Sequence, residues 1–272
     1  MSYASIMVSV DPGLHVPSRV RLGAGVAERL GARLVGVAAC QPNYPRGYGE
    51  TSVSSALNLE KIRQAALDDL AAAERVFREA ANGRDRVEWR SGLTDALGFV
   101  EEQARAADLV IVGRRGTDGG PDHGMAVDAG AALMGLGRPV LVAPQGVEAV
   151  EARHVLIGWK DTPQTRRAVS DAMPFLKRAK SVQVVSVTER EDGGGVEDVA
   201  AYLALHDVIA HPIRRRTPGV SVAEDLREAA SYFGSDLIVT GGYGHGRLRE
   251  WAFGGVTRDL LGQCNACCLM SH

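Results

Sequence analysis

The chain has 272 residues, of which 45% are hydrophobic and 24% are charged, as expected for a globular protein with one large or two ordinary domains. The formal net charge of -2 argues against general nucleic-acid binding, and we expect no nucleic-acid partner. No apolar run approaches the ~20 residues that a membrane helix needs, and the N-terminal segment lacks a basic region and a cleavage site. We therefore expect a cytoplasmic protein without membrane association.

Short apolar runs and helical patterns alternate in the first half of the chain. The apolar runs predict five strands, at 5–10, 34–39, 87–90, 109–112 and 140–143. The helical patterns predict four helices, at 17–30, 54–81, 94–106 and 127–136. We expect Thr94 to cap the third of these helices. Residues 41–49, with two prolines and two glycines, are predicted to form a loop.

The second half of the chain shows the same alternation. Strands are predicted at 154–159, 181–187, 208–215, 236–240 and 266–270. Helices are predicted at 163–178, 196–206, 221–233 and 256–262. A shorter insert, which contains glycines at 193–195, leads into the second of these helices.

Direct alignment shows that the second half repeats the first. Three pairs of segments align: 107–116 with 235–244, 139–144 with 266–271, and 6–11 with 155–160. Because the elements recur in the same order, we predict two copies of one domain, at 1–148 and 152–272. The alternation of strands and helices predicts that each copy is a doubly wound, Rossmann-like α/β domain with a five-stranded parallel sheet flanked by helices.

The four cysteines do not form a disulfide framework. Cys40 stands alone, and Cys264, Cys267 and Cys268 cluster near the last predicted strand, which favours a reducing compartment. Cys264 and Cys267 have the spacing of zinc ligands, but a tetrahedral site needs two more, and the one clear neighbour is His272. We interpret the cysteines as small apolar core residues and predict neither a metal site nor catalytic residues.

A glycine-rich segment follows the predicted strand at 236–240. Its glycines are Gly241, Gly242, Gly244, Gly246, Gly254 and Gly255, and a helical pattern begins after the last pair. This layout suits phosphate, because glycines let the backbone approach an anion and free N–H groups at a helix N-terminus point at it. The spacing fits neither the Walker loop nor the dinucleotide Rossmann fingerprint.

The segment resembles the nucleotide loop of the universal stress protein (UspA) family, written G-x2-G-x9-G-[S/T]. Gly241, Gly244 and Gly254 fall at the three glycine positions, whereas Gly255 stands where nucleotide-binding members usually carry Ser or Thr. Thr257 is a candidate replacement for that hydroxyl. The string GGYGHGRLREWAFGGVT looks like the second half of tandem bacterial members, and the resemblance covers essentially the whole chain. It implies an adenine nucleotide alpha hydrolase-like fold and a role in the stress response.

The resemblance also implies which residues bind nucleotide in the second half. In nucleotide-binding members, an acidic residue after the first strand lies near the adenine and the glycine loop holds the phosphates. Lys160 occupies the position of that acid, with Asp161 beside it, and His245 either binds phosphate or braces the loop. The candidate set is Gly241, Gly244, His245, Gly246, Arg247, Gly254, Gly255, Val256, Thr257, Lys160 and Asp161.

The first half keeps the acid, as Asp11, but its loop diverges. Ala126 stands where the pattern requires glycine, and Asp118, Pro121 and Asp122 would repel phosphate or remove a donor. We therefore interpret this half as degenerate, with Asp11 as a minor candidate for nucleotide binding.

Three functions remain compatible with the sequence. The first is regulatory binding of an adenine nucleotide (ATP, ADP or AMP), with or without magnesium. The second is a nucleotide-free interaction protein, favoured by Gly255 and Lys160. The third is a weak magnesium-dependent ATPase with Asp161 as the metal-binding carboxylate. We expect the two halves to pack face to face as a pseudo-dimer, largely along their last strands, and further homodimerisation stays open.

Overall fold

A computed structural model describes residues 2–44, 53–114, 124–188, 194–216, 220–243 and 255–272. The described residues contain ten strands: β1 (Ser5–Ser9), β2 (Arg33–Ala39), β3 (Val87–Gly92), β4 (Leu109–Gly113), β5 (Val140–Ala143), β6 (His154–Gly158), β7 (Ser181–Val187), β8 (Ala210–Arg215), β9 (Leu237–Gly241) and β10 (Cys267–Ser271). Each predicted strand is present, with bounds that differ by two residues or fewer.

The same residues contain nine α-helices: α1 (Val16–Leu30), α2 (Val53–Ala81), α3 (Ala96–Gln103), α4 (Ala129–Gly135), α5 (Pro163–Asp171), α6 (Met173–Leu176), α7 (Val196–Ala204), α8 (Val222–Tyr232) and α9 (Gly255–Gln263). In this described part, no helix is long and apolar enough to cross a membrane. Strands and helices alternate as the sequence predicts.

The strands form one sheet in the order β3-β2-β1-β4-β5-β10-β9-β6-β7-β8. Neighbouring strands are parallel within β1–β5 and within β6–β10, so the predicted five-stranded parallel sheets are confirmed. The expectation that the halves pack face to face is wrong. They join edge to edge through antiparallel pairing of β5 with β10, where Leu141 faces Leu269. This pairing satisfies backbone groups that the two edges would otherwise leave open.

The strand register also corrects one of the sequence alignments. Val110 pairs with Val140 in the first half, and Ile238 pairs with Cys268 in the second. Val140 therefore corresponds to Cys268, so the segment 139–144 matches 267–272 rather than 266–271. A continuous apolar run does not specify its own register, and hydrogen bonding to the neighbouring strand decides it.

Two helices differ from their predictions in more than the placement of their ends. The cap of α3 is Asp95, whose carboxylate accepts from the Gly98 N–H at 2.7 Å, so the expectation of Thr94 is wrong. The single helix predicted at 163–178 is divided into α5 and α6. Pro174 lies at the start of α6, where its missing N–H breaks the helical hydrogen-bond pattern least.

Helices cover both faces of the sheet and bury two apolar layers. On one face, Val20 of α1, Phe77 of α2 and Val169 of α5 pack on the strands. On the other face, Val100 of α3 and Leu226 of α8 do the same. The four cysteines are buried and form no disulfide bond, which agrees with their interpretation as core residues.

Candidate functional site

A cavity of about 1000 Å³ opens beyond the carboxyl ends of β6 and β7, the edge of a parallel sheet where ligands bind. Its volume lies at the upper end of the range of about 300–1000 Å³ that is usual for small-molecule sites. The predicted residues that line it are Lys160, Asp161 and Val256. Val256 belongs to the first turn of α9, so the cavity reaches a helix N-terminus.

Most of the cavity wall is apolar. The apolar lining includes Trp159, Val169, Val185, Val187, Val199, Val222 and Leu226. Trp159 is buried, and its Nε1–H donates to the carbonyl of Gly194 at 2.7 Å. Gly194 and Gly195 have φ angles of +67° and +83°, a left-handed conformation that favours glycine. This hydrogen bond fixes the segment before α7 against the end of β6.

The polar part of the cavity contains an ion pair next to Lys160. Asp161 Oδ1 accepts from Arg166 Nε at 2.9 Å and from Nη2 at 2.6 Å. Both side chains are more than half exposed, so water screens the attraction and the pair adds little stability. Arg166 also lines the cavity, and it therefore places a guanidinium there that the sequence analysis missed.

The start of the glycine-rich segment is closely packed. A Cβ at Gly241 would lie 2.5 Å from the backbone nitrogen of Thr165 at the start of α5, so β9 can end there only with glycine. A Cβ at Gly242 would lie 2.3 Å from Cδ2 of Leu133, which belongs to α4 of the first half. The absence of side chains at Gly241 and Gly242 thus allows the end of β9 to contact α5 on one side and α4 on the other.

Tyr243 connects this segment to the first half. Its φ of +53° is unusual for a residue with a side chain. A Cβ at Gly130 in α4 would lie 2.6 Å from the Tyr243 hydroxyl oxygen, so the tyrosine reaches across the junction. Burial, and to a lesser degree the carboxylate of Asp128, raises the pKa of Tyr243. The phenol is therefore neutral near pH 7. The sequence alone gave no signal for this contact.

Thr257 braces the base of α9. Its Oγ1 accepts from the backbone N–H of Tyr243 at 3.3 Å, and the residue is only 5% exposed. Gly255 is exposed, and a Cβ added there would meet no atom of the described residues within 4 Å. The structure therefore gives Thr257 a bracing contact, and it leaves space at Gly255 for the side chain that the family pattern carries.

Five predicted residues lie outside the described part of the chain: Gly244, His245, Gly246, Arg247 and Gly254. Their assignment to a phosphate site stays a prediction. The structure brings together Lys160, Asp161 and Val256 around the cavity, and it places Gly241, Gly255 and Thr257 beside the two ends of the loop.

Asp11 is not part of this cavity, and its carboxylate has other partners. Oδ1 accepts from the Gly13 N–H at 2.8 Å, and Oδ2 pairs with Arg19 Nη2 at 2.6 Å. The Arg19 guanidinium lies against Gly113 at the end of β4, since a Cβ there would be 1.8 Å from Nη1. In the first half, an internal ion pair thus occupies the space between the ends of β1 and β4.

The repeat shows that the second half is packed differently at the matching place. Strand register aligns Ile6 with Val155, so Ala168 corresponds to Arg19 along the following helix. Ala168 is fully buried, and at the end of β9 the backbone of Thr165, not a charged side chain, lies against Gly241. A guanidinium thus packs against the end of β4, whereas the start of α5 packs against the end of β9.

Comparison with known proteins identifies the fold. No protein-family model matches the sequence, and no curated protein matches it. A universal stress protein from Archaeoglobus fulgidus DSM 4304 superposes with a TM-score of 0.69, at 12% identity, over 97% of both chains. The fold is that of a universal stress protein.

Two Pseudomonas aeruginosa structures share the universal stress protein fold over nearly the whole chain. A candidate universal stress protein from strain UCBPP-PA14 and a protein of unknown function from strain PAO1 each give a TM-score of 0.58 at 14% identity. Each match covers 98% of this chain and 92% of the other. At such identities the similarity concerns the fold, so the site is argued from the residues of this chain.

Proposed function

We propose that this chain is a universal stress protein that binds one adenine nucleotide in the second-half cavity, with a regulatory rather than a catalytic role. The observation that carries the proposal is the cavity itself, which extends from an apolar wall at Trp159 and Val185 to the first turn of α9 at Val256. A flat apolar base fits the wall, and phosphates fit the helix N-terminus.

The charges in the described lining of the cavity balance, so the attraction for an anionic ligand depends on the adjoining loop. Lys160 and Arg166 supply two positive charges, and Asp161 and Asp198 supply two negative ones. Arg166 already neutralises Asp161, and Arg247 in the adjoining loop adds a further positive charge. ATP, ADP and AMP are all compatible with this arrangement, and adenine is favoured by the resemblance of the loop to the nucleotide-binding pattern.

The filled cleft of the first half supports a stoichiometry of one. The ion pair between Asp11 and Arg19 is mostly buried, with the two side chains 17% and 10% exposed. A ligand entering between β1 and β4 would have to displace it and leave charges without partners. We therefore propose that the units 1–148 and 152–272 act as one filled and one open domain that pair as a pseudo-dimer within the chain.

The ion pair at Asp161 also bears on catalysis. Arg166 donates twice to Oδ1 of Asp161, and its positive charge disfavours a magnesium ion at that carboxylate. In the described part of the chain, no three His, Cys, Asp or Glu side chains form a group that could hold a metal. We therefore propose that nucleotide binding, with magnesium carried by the nucleotide if present, is the principal activity.

Native mass spectrometry of the full chain with ATP and magnesium tests the proposal. We expect one nucleotide per chain and a higher melting temperature, because a ligand that binds only the folded state stabilises it. Gly244→Asp should abolish both effects by placing a carboxylate beside the phosphates. The matched control is Gly116→Asp at the equivalent position of the first half, which should leave binding intact.

Two results would contradict the proposal. Absence of binding at millimolar ATP would favour the nucleotide-free interaction protein. Unchanged binding by the Gly244→Asp variant would show that the nucleotide lies elsewhere.

A further inference from the structure

A second cavity lies where the chain passes from the first half to the second. Its volume is about 170 Å³, and it is lined by Arg29, Leu30, Glu151, Ala152, Arg153, Phe175 and Arg178. The lining comes from the end of α1, the segment before β6, and the end of α6. Both halves of the chain therefore contribute to it.

Three arginines and one carboxylate give this cavity an excess of positive charge. The Glu151 carboxylate is 3.6 Å from Arg29 Nη1 and 3.9 Å from Arg153 Nε. Within the described residues, no carboxylate pairs with Arg178, whose Nη1 donates to the Pro174 carbonyl at 3.2 Å. The carboxylate of Glu151 is thus shared by Arg29 and Arg153, and Arg178 has no carboxylate partner among the described residues.

The three arginines differ in how firmly they are held. Arg29 donates to the carbonyls of Val150 and Glu151, which fixes its guanidinium at the wall of the cavity. The contact of Arg153 with Glu151 is longer than a hydrogen bond. Arg153 and Arg178 therefore keep N–H donors that can turn towards a ligand.

The unbalanced charge has an energetic consequence. Like charges held close together repel, and they do so more strongly where protein excludes solvent. An anion placed between the guanidinium groups converts this repulsion into attraction. Guanidinium forks also match the oxygen spacing of phosphate and donate charge-assisted hydrogen bonds to it.

We propose that this junction cavity binds a small, doubly charged tetrahedral oxyanion, namely free inorganic phosphate, between the two halves of the chain. The volume of about 170 Å³ accommodates one such ion but is well below the range of about 300–1000 Å³ for larger ligands. Because Arg29 belongs to the first half and Arg178 to the second, the bound ion stabilises the junction.

The test compares melting of the full chain in sodium phosphate and in sodium chloride at equal ionic strength, which separates binding from general screening. The test variant is Arg153→Gln/Arg178→Gln. The control is Lys177→Gln, which removes a neighbouring exposed charge outside the cavity. We expect phosphate to raise the melting temperature of the wild type and the control. The double variant should require at least about tenfold more phosphate, as loss of charge-assisted hydrogen bonds implies.

The comparison does not depend on the nucleotide site. Phosphate that binds at the glycine loop contributes equally to all three proteins, so only their difference reports on the junction cavity. An equal phosphate response of the double variant and the control would overturn the proposal. So would equal stabilisation of the wild type by phosphate and by chloride. Arg178→Gln alone, an exposed substitution, repeats the test should the double variant fold poorly.

Discussion

The backbone N–H of Tyr243 donates to the buried hydroxyl of Thr257, 3.3 Å away. Residues 244–254 of the glycine loop lie outside the described residues. The bond therefore joins two residues that stand on either side of this segment. It holds the N-terminus of α9 at a fixed position relative to the end of β9. The geometry of the proposed phosphate site therefore depends on one hydroxyl.

Removal of that hydroxyl should weaken both the fold and the site. Thr257→Val keeps the side-chain volume but leaves the Tyr243 N–H without its partner, which should lower the free energy of unfolding by about 1–3 kcal/mol. ATP affinity should fall as well. Thr257→Ser keeps the hydroxyl and should retain most of both. Urea denaturation and ATP titration measure the effects, and a valine variant as stable as the serine variant would contradict this role.

Addition of a hydroxyl at Gly255 should strengthen nucleotide binding. Among the described residues, no atom lies within 4 Å of a Cβ placed there, and serine is well tolerated at the start of a helix. We expect Gly255→Ser to bind ATP about tenfold more tightly, the value of one charge-assisted hydrogen bond. Gly262→Ser, at an equally open position of the same helix, is the control. Isothermal titration calorimetry distinguishes them, and equal affinities would show that Gly255 does not face the phosphates.

The two aspartate–arginine pairs should differ in strength. Arg19→Ala removes one partner of a mostly buried pair and should cost about 3–5 kcal/mol of unfolding free energy. Arg166→Ala breaks the exposed pair with Asp161 and should cost less than about 1 kcal/mol. Chemical denaturation measures both variants. If the two variants lost similar amounts of unfolding free energy, Asp11 would not depend on Arg19 for charge compensation.

The stability of the fold should depend on pH through Cys264. Hydrogen bonding with the Cys268 side chain and with the backbone of Ala266, together with the charges of Arg114 and Arg227, lowers the pKa of Cys264 to about 7. A depressed pKa means that the folded state releases its proton first, so this stabilisation is present above the unfolded value of 9.0 and is lost as pH falls to about 7. Unfolding free energies measured over this window should rise with pH in the wild type. A Cys264→Ala variant should lack that rise, and an identical slope in both proteins would exclude the effect.

Local patterns in the sequence were sufficient for the order of elements. Apolar runs and their turn residues predicted each strand, because burial on both faces leaves an unbroken apolar signature. The rule that ligands bind beyond the carboxyl ends of parallel strands predicted a site at Lys160 and Asp161, and both residues line the cavity. The same rule applied to β7 would have added Val185 and Val187.

Other features depend on contacts between distant segments. The bond from Trp159 to Gly194 joins two loops, and no spacing rule specifies such a pairing. In the sequence, Arg19 has no feature that separates it from other helix residues. Its role is visible only in the folded sheet, where it lies beside Gly113. The edge-to-edge junction also has no local signal, because an edge strand and a central strand can have the same apolar pattern.

The antiparallel junction of β5 with β10 has a consequence for assembly. Two separate subunits that met through these edges would dissociate on dilution, because their association depends on concentration. Here one covalent chain carries both edges, which keeps their effective concentration high at any dilution. The junction therefore forms in a unimolecular step, and its melting temperature should not change with the amount of protein in the sample.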